Sequence, residues 1–296
     1  MRWLRANLHT HTINSDGDSP PADVVAWYRD AGYDVLAITD HDIVTDPADL
    51  QAVAGPMLLV RGEELTSGDV HVNGLGVPSA LPPTLEGDVR ARLQGNIDAI
   101  RGAGGVPSVN HPNFRWQVRV DDLAELRDVR LFEIHNAGPE VNNRGGREGF
   151  PDMETVWDLL LAAGHRMVGI AVDDAHSFKR WGRQYSNPGR AWMMIRAEHG
   201  AEGAVLTALE AGDCYATTGV TLGDVTATGG VLGVDVLPQW ELHYRTTFIG
   251  RSGRTLDIQD GLTARYRIRP GDGYVRARVE DSDGLSAWTQ PLFEDA

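Results

Sequence analysis

The alternation of short apolar runs with helix-like stretches constrains the fold of this chain more than any other feature. The apolar runs have the length of β-strands and recur through the first 195 residues. They cover residues 6–9, 34–39, 57–61, 71–77, 105–110, 130–135, 166–172 and 191–195. Strands separated by helices are typical of βα units, so we expect a mostly parallel sheet or barrel.

The stretches between these runs carry recognisable helix boundaries. Ser19 is the predicted N-cap of a first helix that starts with Pro20 and Pro21, and Gly32 ends that helix. Further helices are predicted near residues 85–101, 121–126, 153–163 and 204–211.

The sequence pattern changes after about residue 219, where glycine-rich turns separate segments in which apolar and polar residues alternate. Residues 274–279 alternate between apolar and basic side chains, which indicates a strand with one apolar and one basic face. We therefore predict an α/β domain over residues 1–220 and a small antiparallel β domain over residues 221–296.

Composition limits the classes of function. The 296 residues are 42% hydrophobic and carry a net charge of −15, which argues against a nucleic-acid surface. The single cysteine, Cys214, excludes an internal disulfide. No apolar run approaches the ~20 residues of a membrane span or resembles a signal peptide. We expect a cytoplasmic protein that does not associate with membranes.

Ionisable side chains stand at the ends of most predicted strands. The carboxyl ends of parallel strands share one face, where the following loops build active sites. Taken singly, each of these residues is better explained as a solvated loop acid or a core histidine. Seven such strand ends on one face are hard to explain in that way, because crowded acids repel each other unless they share a cation. The groups are His9 and His11, Asp40-His41-Asp42, Glu63-Glu64, His71, Asn110-His111, Glu133-Ile134-His135-Asn136 and Asp173-Asp174-Ala175-His176.

The order of these groups resembles the polymerase-and-histidinol-phosphatase (PHP) family of metallohydrolases. The matching motifs are His-x-His at 9–11, Ser-Asp-Gly at 15–17, Thr-Asp-His-Asp at 39–42, Gly-x-Glu at 62–64, His71, Asn-His-Pro at 110–112 and Asp-x-His at 174–176. The resemblance implies a distorted (β/α)7 TIM-like barrel that holds two or three divalent metal ions.

The same resemblance assigns ligands to each ion. It implies one ion held by His9, His11, Glu64 and Asp174, a second held by Glu64, His71 and His111, and a third held by Asp16, His41 and His176. Ligand sets that mix imidazole and carboxylate suit Zn, Mn or Fe.

The expected reaction is hydrolysis. Paired ions that share a carboxylate lower the pKa of a common water, so a metal-bridging hydroxide is the expected nucleophile. Glu64, Asp174 and His176 are expected to carry catalysis. Because the ions make the site positive, a small anionic substrate is favoured, and a phosphoesterase acting on a small phosphorylated metabolite or nucleotide is the leading interpretation.

Two other interpretations stay open. Residues 71–76 and 283–291 resemble the carbaryl-hydrolase branch of the same family, which would permit carbamate or carboxyl-ester hydrolysis at the same metal site. The third interpretation is a non-catalytic metal-binding module. The β domain has three open roles, namely capping the barrel, binding a partner or forming a homo-oligomer.

Cationic side chains in loops after the predicted strands are candidates for anchoring a phosphate. They are Arg144, Arg147, Lys179 and Arg180, and the alternative for each is a solvated surface charge. His135, at a strand end, is a further candidate for substrate contact.

Several neighbouring residues have two possible roles. Asp40 and Asp173 are predicted either to orient imidazoles or to cap loops. Glu63 faces the core or the solvent, and Asn136 binds substrate or stabilises a turn. Three histidines lie outside the motif pattern and are expected to be structural or exposed, namely His165, His199 and His243.

Overall fold

The computed structural model describes residues 2–197 and 201–295 and confirms a mixed α/β fold. The helices of these ranges are α1 (Pro21–Asp30), α2 (Gln51–Ala54), α3 (Val89–Gly102), α4 (Val120–Ala124), α5 (Met153–Ala162) and α6 (Glu202–Ala211). The strands up to residue 217 are β1 (Arg2–Asn7), β2 (Val35–Ala37), β3 (Leu58–Val60), β4 (Gly62–Ser67), β5 (Val70–Leu75), β6 (Val106–Val109), β7 (Leu131–Asn136), β8 (Val168–Val172), β9 (Trp192–Ala197) and β10 (Cys214–Thr217). The later strands are β11 (Leu222–Thr228), β12 (Val231–Val236), β13 (Tyr244–Gly250), β14 (Arg254–Asp260), β15 (Thr263–Arg267), β16 (Tyr274–Asp281), β17 (Ser286–Thr289) and β18 (Leu292–Phe293).

The helices predicted from local pattern are present, with small shifts at their ends. Gly32, just after α1, has a φ of 79°, the left-handed conformation that ends helices. The prediction for Ser19 was wrong, because Pro20 occupies the N-cap position and the Ser19 hydroxyl donates to Asp18. Within the described ranges, no helix has the length and apolar character that crossing a membrane requires.

Two groups of parallel strands make up the first part of the fold. One group contains β1, β2 and β3, and the other contains β6, β7 and β8. Between them, β4 and β5 form an antiparallel hairpin that Gly68 and Asp69 close, and β5 is also antiparallel to β6. The prediction of a mostly parallel sheet therefore holds within each group and fails for β4 and β5, because a two-residue turn can join only antiparallel strands. It also fails for β9, which is antiparallel to β1.

Two isolated bridges join these groups at the ends of their strands. Thr10, after β1, pairs with Ala175, after β8, and His41, after β2, pairs with Glu64 in β4. The strand ends therefore surround one space, while α3 packs on β5 and β6 and α5 packs on β7. The described residues do not form a regular (β/α)7 barrel, because two joints are single bridges and no helix lies between β4 and β5.

The C-terminal strands continue the sheet that contains β1. β10 pairs with β9 on one side and with β17 on the other, and β16, β13 and β14 follow. A second sheet of β11, β12 and β15 packs on this extension, so that Leu232 and Tyr266 share a buried core with Phe248 and Ala277. Strands from both sides of the predicted division at residue 220 therefore belong to one continuous sheet, and this sheet shares a buried core with the second sheet.

Candidate metal centre

The structure brings the side chains of the nine predicted ligands together at the joined strand ends. His9, His11 and Asp16 come from the segment after β1, His41 follows β2, Glu64 lies in β4, His71 lies in β5, His111 follows β6, and Asp174 and His176 follow β8. Unlike the other candidate ligands, Glu64 and His71 lie within strands, in the antiparallel hairpin of β4 and β5.

Four of these side chains meet in the buried interior, where the carboxylates of Glu64 and Asp174 both face the imidazoles of His9 and His11. The Nε2 atoms of His9 and His11 are 3.1 Å apart. Oε2 of Glu64 lies 3.3 Å from His9 Nε2 and 3.2 Å from His11 Nε2. Oδ1 of Asp174 lies 3.3 Å from each of the same two nitrogens.

These separations fit a cation better than they fit hydrogen bonds. Ligand atoms about 2.0–2.1 Å from a tetrahedral ion lie about 3.3 Å from one another. The Oδ1 atom of Asp174 is buried and accepts no hydrogen bond, although two imidazole nitrogens face it. A buried carboxylate oxygen without a partner is costly in a protein, so the donor set fits a bound divalent ion.

The two oxygens of Glu64 face different groups of imidazoles. Oε2 faces His9, His11 and His41, the last at 3.2 Å. Oε1 lies 3.0 Å from Nδ1 of His71 and 3.3 Å from Nε2 of His111. This arrangement would allow Glu64 to contribute one oxygen to each of two ions.

A third group lies at the mouth of the pocket. Asp16 Oδ1 is 3.2 Å from His176 Nε2 and 3.6 Å from His11 Nδ1, and Asp16 Oδ2 is 3.6 Å from His41 Nε2. His11 therefore has one ring nitrogen toward the buried group and the other toward this group. Asp16 is more than half exposed, whereas His9 and His11 are fully buried.

Electrostatics make the cluster attractive to cations. Burial alone would lower the pKa of His9, but the carboxylates of Asp174, Glu64 and Glu133 raise this pKa well above its usual value. Burial would raise the pKa of Glu64 and Asp174, but the facing imidazoles, His9 foremost, hold both well below their usual range. Ionised carboxylates held against protonated imidazoles form a place where a metal ion can replace the protons.

Backbone strain is concentrated at the same residues. Asp174 has a φ of 48° and His111 a φ of 22°, both on the left-handed side where residues other than glycine are rare. Such conformations persist only where the surrounding contacts hold them, and they cluster at functional sites.

A second layer of polar residues holds the candidate ligands, and these residues had no role assigned to them from sequence. Glu133 Oε1 accepts a hydrogen bond from His9 Nδ1 at 2.7 Å, and the Asn110 amide donates to Glu64 Oε1 at 2.7 Å. Thr66 lies 2.6 Å from His41 Nδ1. An acid between two apolar residues of a strand, Phe132 and Ile134, was the available signal for Glu133.

Asp40 and Asp173 contact no imidazole of the described residues, and their hydrogen bonds agree with the alternative that they cap loops. Asp40 accepts hydrogen bonds from Thr12 and Ser15 and so holds the segment after β1. Asp173 accepts the main-chain N–H groups of residues 189, 190 and 191. Asn136 donates to Glu133 and Asp174.

Seven of the nine candidate ligands line a cavity of about 280 Å³, all except the fully buried His9 and His11. Its other walls are mostly apolar or neutral, and they include Phe114, Pro139, Val141 and Tyr185. Among the described residues, no arginine or lysine lines this cavity. The positive charge that an anionic substrate needs would therefore have to come from bound ions.

The predicted anchoring residues lie away from this cavity. His135 and Arg144 line a separate cleft beside β17, where the His135 ring stacks on Trp288. Arg147 lies over the ring of Phe150, and Arg180 lies over Tyr185, which is itself a wall of the cavity. Lys179 is exposed. Substrate binding by these side chains stays a prediction.

The three histidines outside the motif pattern have no part in this cluster as far as the structure describes them. His165 is half-buried and His243 is exposed. His199 lies outside the described residues.

Comparison with solved structures identifies the fold. A two-domain protein from Bacteroides vulgatus, described as containing a predicted PHP-like metal-dependent phosphoesterase, superposes with a TM-score of 0.54 at 15% identity, covering 94% of this chain and 90% of that one. This shows a shared fold over nearly the whole of both chains. No known family's sequence profile and no curated protein sequence matches the chain.

Two further solved structures match with lower TM-scores. A protein from Bifidobacterium adolescentis, described as a candidate metal-dependent phosphoesterase, has a TM-score of 0.46 at 18% identity, covering 62% of this chain and 89% of that one. An amidohydrolase from Chromobacterium violaceum, with bound sulfate and no metal, has a TM-score of 0.42 at 18% identity, covering 59% of this chain and 88% of that one.

Proposed function

We propose that this protein is a metal-dependent hydrolase, and that its substrate is a phosphoester of a small metabolite or nucleotide. The observation that carries the proposal is that His9 and His11 face both Glu64 Oε2 and Asp174 Oδ1, a buried carboxylate oxygen that has no hydrogen-bond partner. The shared fold supports it, since the Bacteroides vulgatus protein is described as PHP-like and phosphoesterase-containing. The joined strands would then be the distorted barrel that the sequence resemblance implies.

The proposal assigns the ions as the sequence resemblance does. His9, His11, Glu64 and Asp174 would hold one, Glu64, His71 and His111 a second, and Asp16, His41 and His176 a third, with Zn, Mn or Fe as the metal. When bound, such ions lower the pKa of a shared water and neutralise charge that develops on substrate oxygens. Glu64 and Asp174 would hold the buried ion in place. His176 would hold the ion at the mouth of the cavity, where the substrate enters.

Hydrolysis of a carbamate or carboxyl ester at the same site is the second candidate function. It is favoured by the absence of arginine and lysine from the cavity lining among the described residues, and by the apolar walls around Phe114 and Tyr185. A phosphate dianion benefits from guanidinium or ammonium partners, whereas a neutral ester does not need them. This reaction also agrees with the sequence resemblance to the carbaryl-hydrolase branch.

Metal analysis and a substrate panel test the proposal. The purified protein is expected to contain two or three divalent ions per chain and to release phosphate from aryl phosphates or from a panel of phosphorylated metabolites in the presence of Mn, Zn or Fe. Turnover of 1-naphthyl carbamate without phosphate release would select the second function. Less than one ion per chain and no hydrolysis of either class would overturn both.

Removal of a single candidate ligand charge tests the site itself. Glu64→Gln or Asp174→Asn is expected to lower the metal content and to reduce turnover by at least about 100-fold, because no neighbouring carboxylate can take the place of either. The matched control is Glu210→Gln on α6, which makes the same chemical change at an ion pair with Arg101. Full activity in either ligand variant would show that the assignment is incorrect.

A further inference from the structure

Glu133 is a buried carboxylate that forms hydrogen bonds with candidate ligands of the metal centre. It lies in β7 and is about 1% exposed. Oε1 accepts a hydrogen bond from His9 Nδ1 at 2.7 Å, and Oε2 accepts one from the main-chain N–H of His111 at 2.7 Å and one from Asn136 Nδ2 at 2.8 Å. A single carboxylate thus reaches two candidate ligands directly.

The first consequence concerns the imidazole of His9. Because Nδ1 donates its hydrogen to Glu133, Nε2 of the neutral ring carries the lone pair. That nitrogen faces His11, Glu64 and Asp174. Hydrogen bonding to a carboxylate also increases the basicity of an imidazole ligand and fixes its ring orientation.

The second consequence concerns the backbone of His111. This residue has a φ of 22°, which a residue with a side chain rarely adopts. Its N–H group is bound by Glu133, so the carboxylate helps to hold the strained conformation in which the His111 ring reaches Glu64.

The third consequence concerns Asp174. The Asn136 amide that donates to Glu133 also donates to Asp174 Oδ2 at 3.0 Å. The Asp174 carboxylate is thereby oriented with its other oxygen, Oδ1, toward His9 and His11. Through these contacts Glu133 connects the ends of β1, β6 and β8.

We infer that Glu133 is the positioning residue of the metal centre, which orients His9, His111 and, through Asn136, Asp174 toward the two ions that they would hold. This inference rests on the proposed function, because it assumes that the cluster binds metal. Three carboxylates, Glu64, Glu133 and Asp174, are buried together, and no lysine or arginine pairs with any of them among the described residues. A bound cation balances this charge.

Metal affinity of the isolated site is the first test. Wild type, Glu133→Gln and Glu133→Asp are stripped of metal, and Co²⁺ and Zn²⁺ are titrated in competition with a chelating dye. Both variants are expected to bind about 10- to 100-fold more weakly than wild type. The visible absorption of the Co²⁺ form is expected to change as well, which a purely structural role would not cause. Glu210→Gln, which makes the same chemical change on α6 outside the cluster, is the control and should leave the affinity unchanged.

The protonation state of His9 provides a test that needs no variant. In Zn²⁺-loaded wild type, nitrogen NMR of the imidazoles is expected to show Nδ1 of His9 protonated. The opposite tautomer would overturn the inference, as would unchanged affinity and an unchanged Co²⁺ spectrum in Glu133→Gln. A wild-type protein that binds neither metal nor substrate would instead overturn the proposed function.

Discussion

Adjacent acidic residues at the centre have different tasks, because the backbone turns them in different directions. Glu63 and Glu64 are neighbours in β4, and alternation along the strand sends them to opposite faces. Glu64 enters the cluster, whereas Glu63 is buried and accepts the N–H of Leu81. This burial raises the pKa of Glu63 to about 7.

The same division occurs after β8. Asp173 binds main-chain N–H groups of the following segment, while Asp174, with its φ of 48°, turns back toward His9 and His11. Candidate ligands and structural acids are thus distinguished by direction rather than by residue type.

The pH dependence of stability is expected to report on His135. Burial lowers the pKa of this imidazole to about 4, below the value near 6.5 of an unfolded chain. As the pH falls below 6.5, His135 becomes protonated in the unfolded chain but stays neutral in the native protein. The free energy of unfolding therefore decreases between pH 6.5 and 4 and does not depend on His135 above pH 6.5. At pH 5 the loss amounts to about 2 kcal/mol.

His135→Phe removes this ionisable group and keeps an aromatic ring against Trp288. Chemical denaturation at pH 7.5 and pH 5 is expected to show a smaller difference in free energy of unfolding for the variant than for wild type. Equal differences in the two proteins would show that His135 does not titrate in this way.

At the scale of elements, the contact of β16 with α5 explains the alternation of residues 274–279. The apolar face of β16 lies in the core between the two sheets. On the other face Arg276, which is 1% exposed, forms two hydrogen bonds with Asp158 at 2.7 and 2.8 Å and one with Glu154 at 2.9 Å. The basic face of the strand is therefore neutralised by carboxylates of a helix.

Breaking this ion pair is expected to destabilise the protein. Asp158→Ala leaves the buried Arg276 guanidinium with Glu154 as its remaining carboxylate, and the expected loss is roughly 3 kcal/mol in free energy of unfolding. The double variant Asp158→Leu/Arg276→Met is expected to lose less, since no charge stays uncompensated. Asp260→Asn, which breaks an exposed pair with Arg245, is the control and should leave urea denaturation unchanged. A larger loss in the double variant would contradict this account.

At the scale of the whole molecule, the C-terminal strands are part of the architecture that begins with β1. β10 pairs with β17 across more than 70 residues of chain, with Tyr215 opposite Thr289. Tyr215 and Val220 belong to the same core as Phe248 and Val279. The two predicted domains therefore share a sheet and a core.

A fragment of residues 1–220 is expected not to fold on its own. It leaves β10 as an unpaired edge and exposes Tyr215 and Val220, which favours aggregation. Soluble yield, circular dichroism and size-exclusion chromatography of the fragment test this expectation. A monomeric, cooperatively unfolding fragment that retains the metal content of the full chain would show that the boundary at residue 220 separates independent domains.

The sequence by itself determined the features that depend on local pattern. The alternation of strands and helices followed from apolar periodicity, as α3 and α5 show, and the α/β fold class followed from that alternation. The nine candidate ligands were recognisable because their residue types and order are visible without a structure, and the structure brings them together in one cluster. Their binding of metal stays a prediction.

Only the tertiary structure determined the features that depend on pairing between segments distant in sequence. Local periodicity does not specify which strands are neighbours, so the hairpin of β4 and β5 and the pairing of β10 with β17 were not foreseen. For the same reason Glu133 had no assigned role, and Arg144 and Arg147, which were predicted to anchor a phosphate, lie away from the cavity. A strand end becomes part of a site only when another strand, far away in sequence, ends beside it.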